Sequence, residues 1–402
     1  MLRTGILLPR STLFPSLGLD ILSGIKNYLK KQTLADEVKL ITDNIGFGVN
    51  EQEVYSKTEK MLLLEDVDIV ILCADTKITE MLQPLFTASN KILLAVNFGA
   101  NFPDNWQPAP TTITHSLNFC LHTRLTGKLA AHETNKKAAN VVSYFDGGYR
   151  QCYSMLQSHQ ENGGVPVFNH VTAHKSSEFS LAPLADFLEQ NSDVNTLLCL
   201  FAGDMAEMFY REVSPWQKKY NLNLYVSPMM MDESLINTLG NEFSIENVKG
   251  FIPWHADLKN KVNDIFKETI SAAGHTANYF SLLGWETGTI LKEILRLNNT
   301  GNTNATSVVK ALTEISFDSP RGWMKIDAAT QYSYGPSYLA VCPLTEPRGQ
   351  DSVSKNNMST GPGGEITVVN EAENIEAEWT AFTNEKLPPG ESSSWRNTYL
   401  CI

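Results

Sequence analysis

The segment at residues 10–16 combines groups that could bind a ligand near the start of the chain. It reads Arg-Ser-Thr-Leu-Phe-Pro-Ser, with the hydroxyls of Ser11, Thr12 and Ser16 close in sequence to the ring of Phe14. The segment has no Gly-x-Gly and no Lys after a Gly, so it does not match a phosphate-binding loop. Hydroxyls and a ring suit a small organic molecule, although a polar turn without a ligand has the same composition.

Catalytic motifs are absent from the sequence. It contains no nucleophile elbow, Walker loop or zincin helix, and its eight His residues are scattered. Its six Cys residues are widely spaced, which excludes zinc-finger and thioredoxin-like patterns. Cys73 and Cys199 fall in apolar runs and are predicted to be buried thiols, while a Cys342–Cys401 disulfide stays open. We therefore expect no enzyme activity, no cofactor and no metal.

Apolar runs alternate with amphipathic stretches along the chain. Such alternation predicts a parallel sheet covered by helices on both faces. The series occurs twice, which predicts two similar α/β lobes. Ligands of open α/β sheets bind outside the carboxyl ends of the strands, and residues 10–16 follow the first strand-like run. The strand-like runs are at residues 3–9, 38–42, 67–73, 92–96, 139–144, 165–171, 196–201 and 222–226.

Composition limits the class of protein and of partner. A chain of 402 residues is long for a single core and comfortable for two domains. The net charge of −12 repels nucleic acid phosphates and anionic membranes, so neither is an expected partner. No apolar run approaches about 18 residues, so no membrane insertion is expected. Met1 leads directly into a strand-like run, so either an export signal was removed or the protein stays in the cytosol.

From residue 3 to about residue 344, the order of motifs resembles the periplasmic binding proteins of the leucine/isoleucine/valine-binding type. Pro9, Gly18, Asp20 and Gly24 match the strand, loop and helix that open those chains. The later matches are Ala74–Thr76 with Pro84, Asn97–Asn101, Phe145–Tyr149, Gly163 with Gly164, Gly250–Trp254, Gly274 with Tyr279, Gly284 and Trp285, and Ser319–Asp327.

The resemblance implies an α/β fold of two Rossmann-like lobes with parallel sheets, joined by three crossovers, with a ligand cleft between them. It implies an N-terminal lobe of residues 1–120 plus 251–328 and a C-terminal lobe of residues 121–250 plus 329–348. Residues 349–402 would be a linker and tail of unknown role, since their start is rich in Gly, Ser and Asn. The crossovers are expected near residues 118–122, 248–254 and 326–334.

The resemblance also implies that the first lobe grips a ligand carboxylate with a hydroxyl and with N–H groups at a helix start. Thr76 would supply the hydroxyl, unless it only caps the helix. Gly99 and Asn101 would supply backbone groups, with the Asn101 side chain as a further partner. Phe14 and Trp254 could form walls of the pocket, although Trp254 borders a crossover and could instead pack the hinge.

In the second lobe, the resemblance implies that the Tyr149 ring covers an apolar ligand. Tyr149 would face Thr76 across the cleft, unless it is an ordinary core residue or an ordinary residue at a helix start. Phe201 follows a strand where many relatives carry an aromatic residue, and a core position is its alternative role.

Two positions depart from relatives that bind amino acids. Those relatives carry an acid after the strand at 222–226 to pair with the ligand ammonium, and the matching residue here is Met229 or Met230. A thioether cannot pair with an ammonium, so free amino acids are disfavoured unless Asp232 replaces the acid. Asp75 would oppose a ligand carboxylate if it faces the pocket, but not if it faces solvent or caps a helix.

The sequence therefore predicts a solute-binding protein for a small, largely apolar molecule, either amino-acid-like or an apolar acid or amide. By resemblance it would be a periplasmic monomer that delivers this solute to an ABC transporter permease. The alternative is a cytosolic ligand sensor of the same fold that signals to a regulatory partner. An enzyme with a Rossmann-like domain is disfavoured, because the sequence has no Gly-x-Gly-x-x-Gly.

Overall fold

The residues that the structure describes form two compact units, each assembled from separate stretches of the chain. The first unit takes Met1–Phe119, Pro253–Pro336 and the described residues from Glu373 onward. The second takes the described residues of Cys120–Ile252 and Ser337–Ala372. The structure is a computed structural model that describes residues 1–134, 136–239, 245–342 and 366–385.

Strands alternate with helices in both units, and this confirms the predicted α/β class. In chain order, the strands are β1 (Leu2–Leu8), β2 (Val38–Asn44), β3 (Ile69–Leu72), β4 (Ile92–Asn97), β5 (Thr112–Ser116), β6 (Lys137–Val142), β7 (Val165–Val171), β8 (Thr196–Leu200), β9 (Asn223–Val226), β10 (Val248–Ile252), β11 (Ser316–Ser319), β12 (Gly322–Ile326), β13 (Ser333–Tyr334), β14 (Tyr338–Cys342) and β15 (Thr367–Glu371). The helices are α1 (Leu17–Lys31), α2 (Glu51–Leu63), α3 (Thr76–Ser89), α4 (Phe119–Glu133), α5 (Arg150–Glu161), α6 (Ala182–Gln190), α7 (Gly203–Tyr220), α8 (Glu233–Leu239), α9 (Lys261–Ala272), α10 (Tyr279–Asn299), α11 (Ala305–Leu312) and α12 (Ile375–Thr383).

The first unit is built on a parallel sheet with the strand order β2-β1-β3-β4-β5. Its strands β3, β4 and β5 are buried along their whole length, as expected of parallel strands covered on both faces. The neighbouring antiparallel sheet β11-β12-β13 belongs to the same unit. Because β13 pairs with β12, the chain leaves this unit only after Pro336.

The second unit is built on a sheet with the order β15-β14-β10-β9-β8-β6-β7. Strands β6 to β10 pair in parallel, whereas β14 runs antiparallel to β10 and β15 antiparallel to β14. Residues 367–371 of the expected tail therefore complete a sheet edge, and α12 follows directly after them. The linker-like residues 349–364 lie outside the described part of the chain.

Helices α1 and α10 of the first unit pack against each other through two glycines. A Cβ added at Gly24 would overlap the carbonyl oxygen of Ser281, and one added at Gly284 would overlap the carbonyl oxygen of Ile21. The two backbones can approach this closely only because neither position carries a side chain. Both glycines therefore serve the packing of α1 against α10.

Candidate ligand-binding site

The start of α3 lies at the carboxyl end of β3 and is organised by Asp75. Asp75 is the N-cap of the helix, and its Oδ1 accepts a hydrogen bond from the backbone N–H of Thr76 across 3.1 Å. Its Oδ2 accepts another from Nδ2 of Asn101 across 2.8 Å. The alternative that Asp75 faces solvent is wrong, because this residue is only 1% exposed. The helix-cap alternative is confirmed, and it gives Asp75 a stabilising position at a helix N-terminus.

The loop after β4 brings Gly99 and Asn101 to the same end of the sheet. Gly99 has a φ of +67°, and a Cβ there would lie 2.6 Å from both the Cα of Asn118 and the Oγ of Ser116. Only glycine fits this turn without displacing backbone. The Gly99 N–H donates to Oδ1 of Asn97 across 3.0 Å. This tight turn aims the next residues of the loop at Asp75.

Aromatic rings connect the loop after β1 with the loop after β4. The half-buried Phe14 lies 5.2 Å from Phe280 between ring centroids, and Phe280 lies 5.5 Å from Phe98. The N–H of Phe14 donates to Oγ of Ser11 across 2.9 Å, so one hydroxyl of the opening segment shapes its own turn. Phe14 and Gly99 thus lie on loops that share one aromatic cluster.

Trp254 is a buried member of the first unit. Its Nε1 donates to Oδ1 of Asn263 across 2.8 Å, and its ring contacts Phe266 and Tyr279. These contacts support the role of a packing residue beside the point where the chain enters the unit. A ligand contact by Trp254 stays a prediction.

In the second unit, Tyr149 is the N-cap of α5 at the carboxyl end of β6 and is buried. The turn before it is organised by Asp146, whose Oδ2 accepts from Oγ of Ser143 across 2.6 Å. Nε2 of Gln151 donates to Oδ1 of Asp146 across 3.2 Å. Burial raises the pKa of Asp146 to about 6, although the Ser143 hydrogen bond opposes that rise. This strand end therefore carries a carboxyl group that keeps its proton to a higher pH than an ordinary aspartate does.

Phe201 and the methionines mark two further strand ends of the second unit. The Phe201 ring is fully buried and stacks on Phe209 at 4.6 Å, which supports the core alternative. Met229 and Met230 lie in a buried turn after β9. Asp232 accepts a hydrogen bond at Oδ1 from the N–H of Ser234 across 2.9 Å at the start of α8. The acid that could replace the methionines is thus engaged with its own helix.

The structure adds several candidate ligand-binding residues that the sequence analysis did not identify. Phe98 and Phe280 form the ring cluster with Phe14. Phe98 lies inside the Asn97–Asn101 motif of the resemblance, and Phe280 directly follows Tyr279 of a later motif. In the second unit, the rings of Tyr144 and Phe145 each lie 5.4 Å from that of His174, at the ends of β6 and β7. Aromatic residues immediately after predicted strands were the available signal.

A charged network lies inside the first unit, behind the strand ends. Nε of Arg321 lies 2.8 Å from Oε1 of Glu286, and Nε2 of His115 lies 3.2 Å from Oε2. Burial alone would raise the pKa of Glu286, but Arg321 and His115 outweigh it and hold the pKa at about 2. Burial lowers the pKa of His115. Both His115 and Ser319 contact Glu286, so the network joins β5, α10 and the β11–β12 turn.

The described residues offer few other reactive groups. No set of three or more His, Cys, Asp or Glu side chains in the described ranges is placed to hold a metal ion. Cys73 and Cys199 are buried free thiols, as predicted, and so are Cys120, Cys152 and Cys342. Cys401, the other half of the open disulfide question, lies outside the described ranges. Within those ranges, no helix combines the length and apolarity needed to cross a membrane.

Comparison with known proteins gives one family and one fold. Residues 2–343 match the family model described as periplasmic binding protein. An ABC transporter substrate-binding protein from Sphaerobacter thermophilus superposes with a TM-score of 0.76 at 15% identity, covering 92% of this chain and 97% of that one. A solute-binding protein from R. palustris in complex with benzoate gives a TM-score of 0.70 at 20% identity, covering 85% and 92%.

A third similar structure is the amino acid ABC transporter substrate-binding protein from Pseudomonas fluorescens Pf-5. Its TM-score is 0.71 at 12% identity, with 94% of this chain and 97% of that one covered. At these identities the structures establish the shared fold alone. No curated protein sequence matches the chain significantly.

Proposed function

Because the chain belongs to the periplasmic binding protein family, we propose that it binds a small, largely apolar organic solute and delivers it to an ABC importer. The proposed ligand carries one polar end and is an apolar acid or amide in preference to a free amino acid. Loops at the carboxyl ends of the strands would supply its contacts, as in other open α/β sheets. In this proposed role the protein performs no chemistry on the ligand, acts as a monomer in the periplasm and binds no nucleic acid.

One observation supports the preference for an apolar acid or amide over a free amino acid. The position where amino-acid-binding relatives are expected to carry an acid is occupied by Met229 and Met230, which are buried. Asp232, the nearest acid after them, accepts hydrogen bonds from Ser234 at the start of α8. An ammonium group placed here would lose its water without gaining a charged partner, and this costs several kcal/mol. An uncharged apolar group meets no such penalty.

The rings at the strand ends support the same class. Phe14, Phe98 and Phe280 form a contiguous cluster in the first unit, and Tyr144, Phe145 and His174 form another in the second. Aromatic rings add buried apolar area and favour ring-on-ring geometry, so they suit an aromatic or aliphatic body on the ligand. The R. palustris protein of the same fold was solved with benzoate, which makes benzoate a reasonable first probe.

The proposal is tested by native mass spectrometry of the purified protein, which reveals any co-purified small molecule. Calorimetry then compares leucine, phenylalanine, phenylacetate, benzoate and the two matched amides. We expect the acids or amides to bind at least about tenfold more tightly than the amino acids, a difference of about 1.4 kcal/mol. Sub-micromolar binding of leucine would overturn the ligand class, because it requires an acid that pairs with the ammonium.

A further inference from the structure

Helix α12 lies beyond residues 2–343, which match the family model, and it packs onto the loop between β4 and β5. Its inward face consists of Ile375, Trp379 and Phe382, all of which are buried. The segment before it forms β15 in the sheet of the second unit, and α12 itself belongs to the first unit. The helix thus begins only a few residues after this strand ends.

Ring contacts join α12 to the loop. The Trp106 ring lies 5.6 Å from that of Trp379 and 5.6 Å from that of Phe382. Phe102 lies 5.0 Å from Phe382 in an edge-to-face arrangement and stacks with Trp106 at 5.9 Å. Such pairs add about 0.5–1.5 kcal/mol each beyond the area they bury. Two residues of the loop are therefore clamped against two residues of the helix.

Trp379 also joins α12 to β13. Trp379 stacks on Tyr334 at 5.4 Å with the ring planes 5° apart, and Tyr332 contacts Trp106 at 4.9 Å. An exposed ion pair joins Lys325 to Glu376 across 2.6 Å. The helix consequently rests on a sheet of the first unit, and the loop rests on the helix.

Below the loop, the packing is incomplete. A cavity of about 40 Å³ separates the loop from α3, and Thr76, Thr79, Pro103, Trp106 and Tyr332 are among the residues that line it. This space is enough for a water molecule and leaves fewer packing contacts on the α3 side of the loop. The rings of Phe102 and Trp106 therefore gain packing partners from α12 on top of the loop's contacts with α3.

We propose that α12 positions the ligand-binding loop between β4 and β5, with Trp379 and Phe382 as positioning residues. Phe102, held by Phe382, is adjacent in sequence to Asn101, whose amide reaches Asp75 across 2.8 Å. Fixing Phe102 therefore fixes the Asn101 side chain and, through Asp75, the start of α3. The assignment rests on the proposed function, because it takes this loop as part of the ligand site.

The first test needs no ligand. Hydrogen exchange is measured on the full chain for Phe382→Ala and Trp379→Ala, with Phe317→Ala as the matched control, since Phe317 is a buried ring of the same unit in β11. We expect exchange at residues 98–106 to rise about tenfold or more in the two α12 variants while β1 and β3 stay protected. Phe317→Ala should not single out the loop.

A conservative variant separates positioning from general destabilisation. The Trp379 indole N–H has no hydrogen-bond partner among the described residues, so Trp379→Phe should restore loop protection to within about threefold of the original. If Phe382→Ala does not fold, Phe382→Leu retains apolar bulk without the ring and takes its place. The proposal would be overturned if hydrogen exchange at residues 98–106 in the Phe382 variant, whether Phe382→Ala or Phe382→Leu, matches that in Phe317→Ala.

The second test uses benzoate and leucine as probes. For whichever probe binds, calorimetry should show the dissociation constant weakened about fivefold or more in Phe382→Ala and Trp379→Ala, and changed by less than about twofold in Phe317→Ala. Unchanged affinity together with a loosened loop would overturn the link between α12 and binding. If neither probe binds the original protein, the ligand class is what fails, and the exchange result still decides the role of α12.

Discussion

Asn101 donates a hydrogen bond from Nδ2 to Oδ2 of Asp75 across 2.8 Å, and both residues are buried. The other carboxylate oxygen of Asp75 accepts from the N–H of Thr76. The first N–H group of α3 therefore already serves an internal carboxylate. A ligand carboxylate brought to this helix start would meet a negative charge, whereas an amide or hydroxyl group could donate to it.

Replacing Asp75 by Asn tests this charge. Asp75→Asn keeps the size and one acceptor but removes the negative charge, so repulsion of a nearby ligand carboxylate disappears. We expect the preference for benzoate over benzamide to shift toward benzoate by about tenfold, or about 1.4 kcal/mol. Calorimetry with the two probes measures the ratio. An unchanged ratio would place the ligand's polar end away from α3.

Variants at Thr76 and Tyr149 test whether the ligand contacts the loops after β3 and β6. Thr76→Val should weaken ligand binding by about 0.5–1.5 kcal/mol if the hydroxyl makes a neutral hydrogen bond with the ligand. Tyr149→Ala should weaken it more, because it removes an aromatic surface. Since Tyr149 is buried, Tyr149→Phe is needed to separate the ring from the hydroxyl.

The control for Thr76→Val is Thr87→Val, which makes the same change on an exposed part of the same helix. Titration calorimetry and thermal melting are run on all four variants. If Tyr149→Ala lowers the melting temperature but leaves affinity intact, Tyr149 is a core residue and the assumed site is misplaced.

Strand-end positions were predictable where an apolar run marked the strand. The runs at 67–73 and 92–96 led to Asp75 and to the Gly99 loop. Strand β5 was missed, since its sequence Thr-Ile-Thr-His-Ser has one strongly apolar residue although all five are buried. Buried polar residues satisfied by distant partners leave no local periodicity.

Helix α4 was missed for a related reason. Its packing face includes Gly127, where an added Cβ would overlap the carbonyl oxygen of Met155. The apolar residues of α4 are also spread around the helix, so they do not form the single stripe by which an amphipathic helix is identified in a sequence. The contact between α12 and the loop after β4 could not be predicted from the sequence either, because Trp106 and Trp379 are far apart in the chain and meet only in the tertiary fold.

The buried Glu286 should stabilise the first unit strongly. Glu286→Gln removes the charge that faces Arg321 in the interior, and breaking a buried pair in this way costs roughly 3–5 kcal/mol at neutral pH. Because the folded pKa of about 2 lies below the usual value of 4.5, this stabilisation is present above about pH 4.5 and is lost as the pH falls toward 2.

Urea unfolding between about pH 7 and pH 3 measures both effects. The original protein should lose stability below about pH 4.5, and Glu286→Gln should lose less over the same range. The double variant Glu286→Gln/Arg321→Met removes both charges and should recover part of the loss. A single variant as stable as the original would show that the ion pair contributes nothing net.

Asp146 should have the opposite dependence on pH. Burial raises its folded pKa from 3.8 to about 6, so between these values the folded state holds a proton that the unfolded state releases. The free energy of unfolding therefore falls as the pH rises through this window, and the full cost is present above about pH 6. Asp146→Asn removes that cost, which is on the order of 1–3 kcal/mol.

The same variant exchanges one carboxylate oxygen for an NH₂ group. It therefore disturbs one of the hydrogen bonds from Ser143 and Gln151, which costs about 0.5–1.5 kcal/mol at every pH. We expect Asp146→Asn to be slightly less stable than the original at about pH 4 and more stable at about pH 7.5. Urea unfolding across this range would show the two profiles crossing.

A second variant, Ser143→Ala, tests the direction in which the pKa of Asp146 moves when a hydrogen bond to its carboxylate is lost. The Ser143 hydroxyl donates to Oδ2 of Asp146 across 2.6 Å and lowers its pKa against the effect of burial. Ser143→Ala should therefore raise that pKa further and extend the loss of stability to higher pH. Parallel profiles for the original protein and Asp146→Asn between about pH 4 and pH 7.5 would show that Asp146 does not titrate in this window. A ligand whose binding changed near pH 6 only when Asp146 was present would place this carboxyl group in contact with the site.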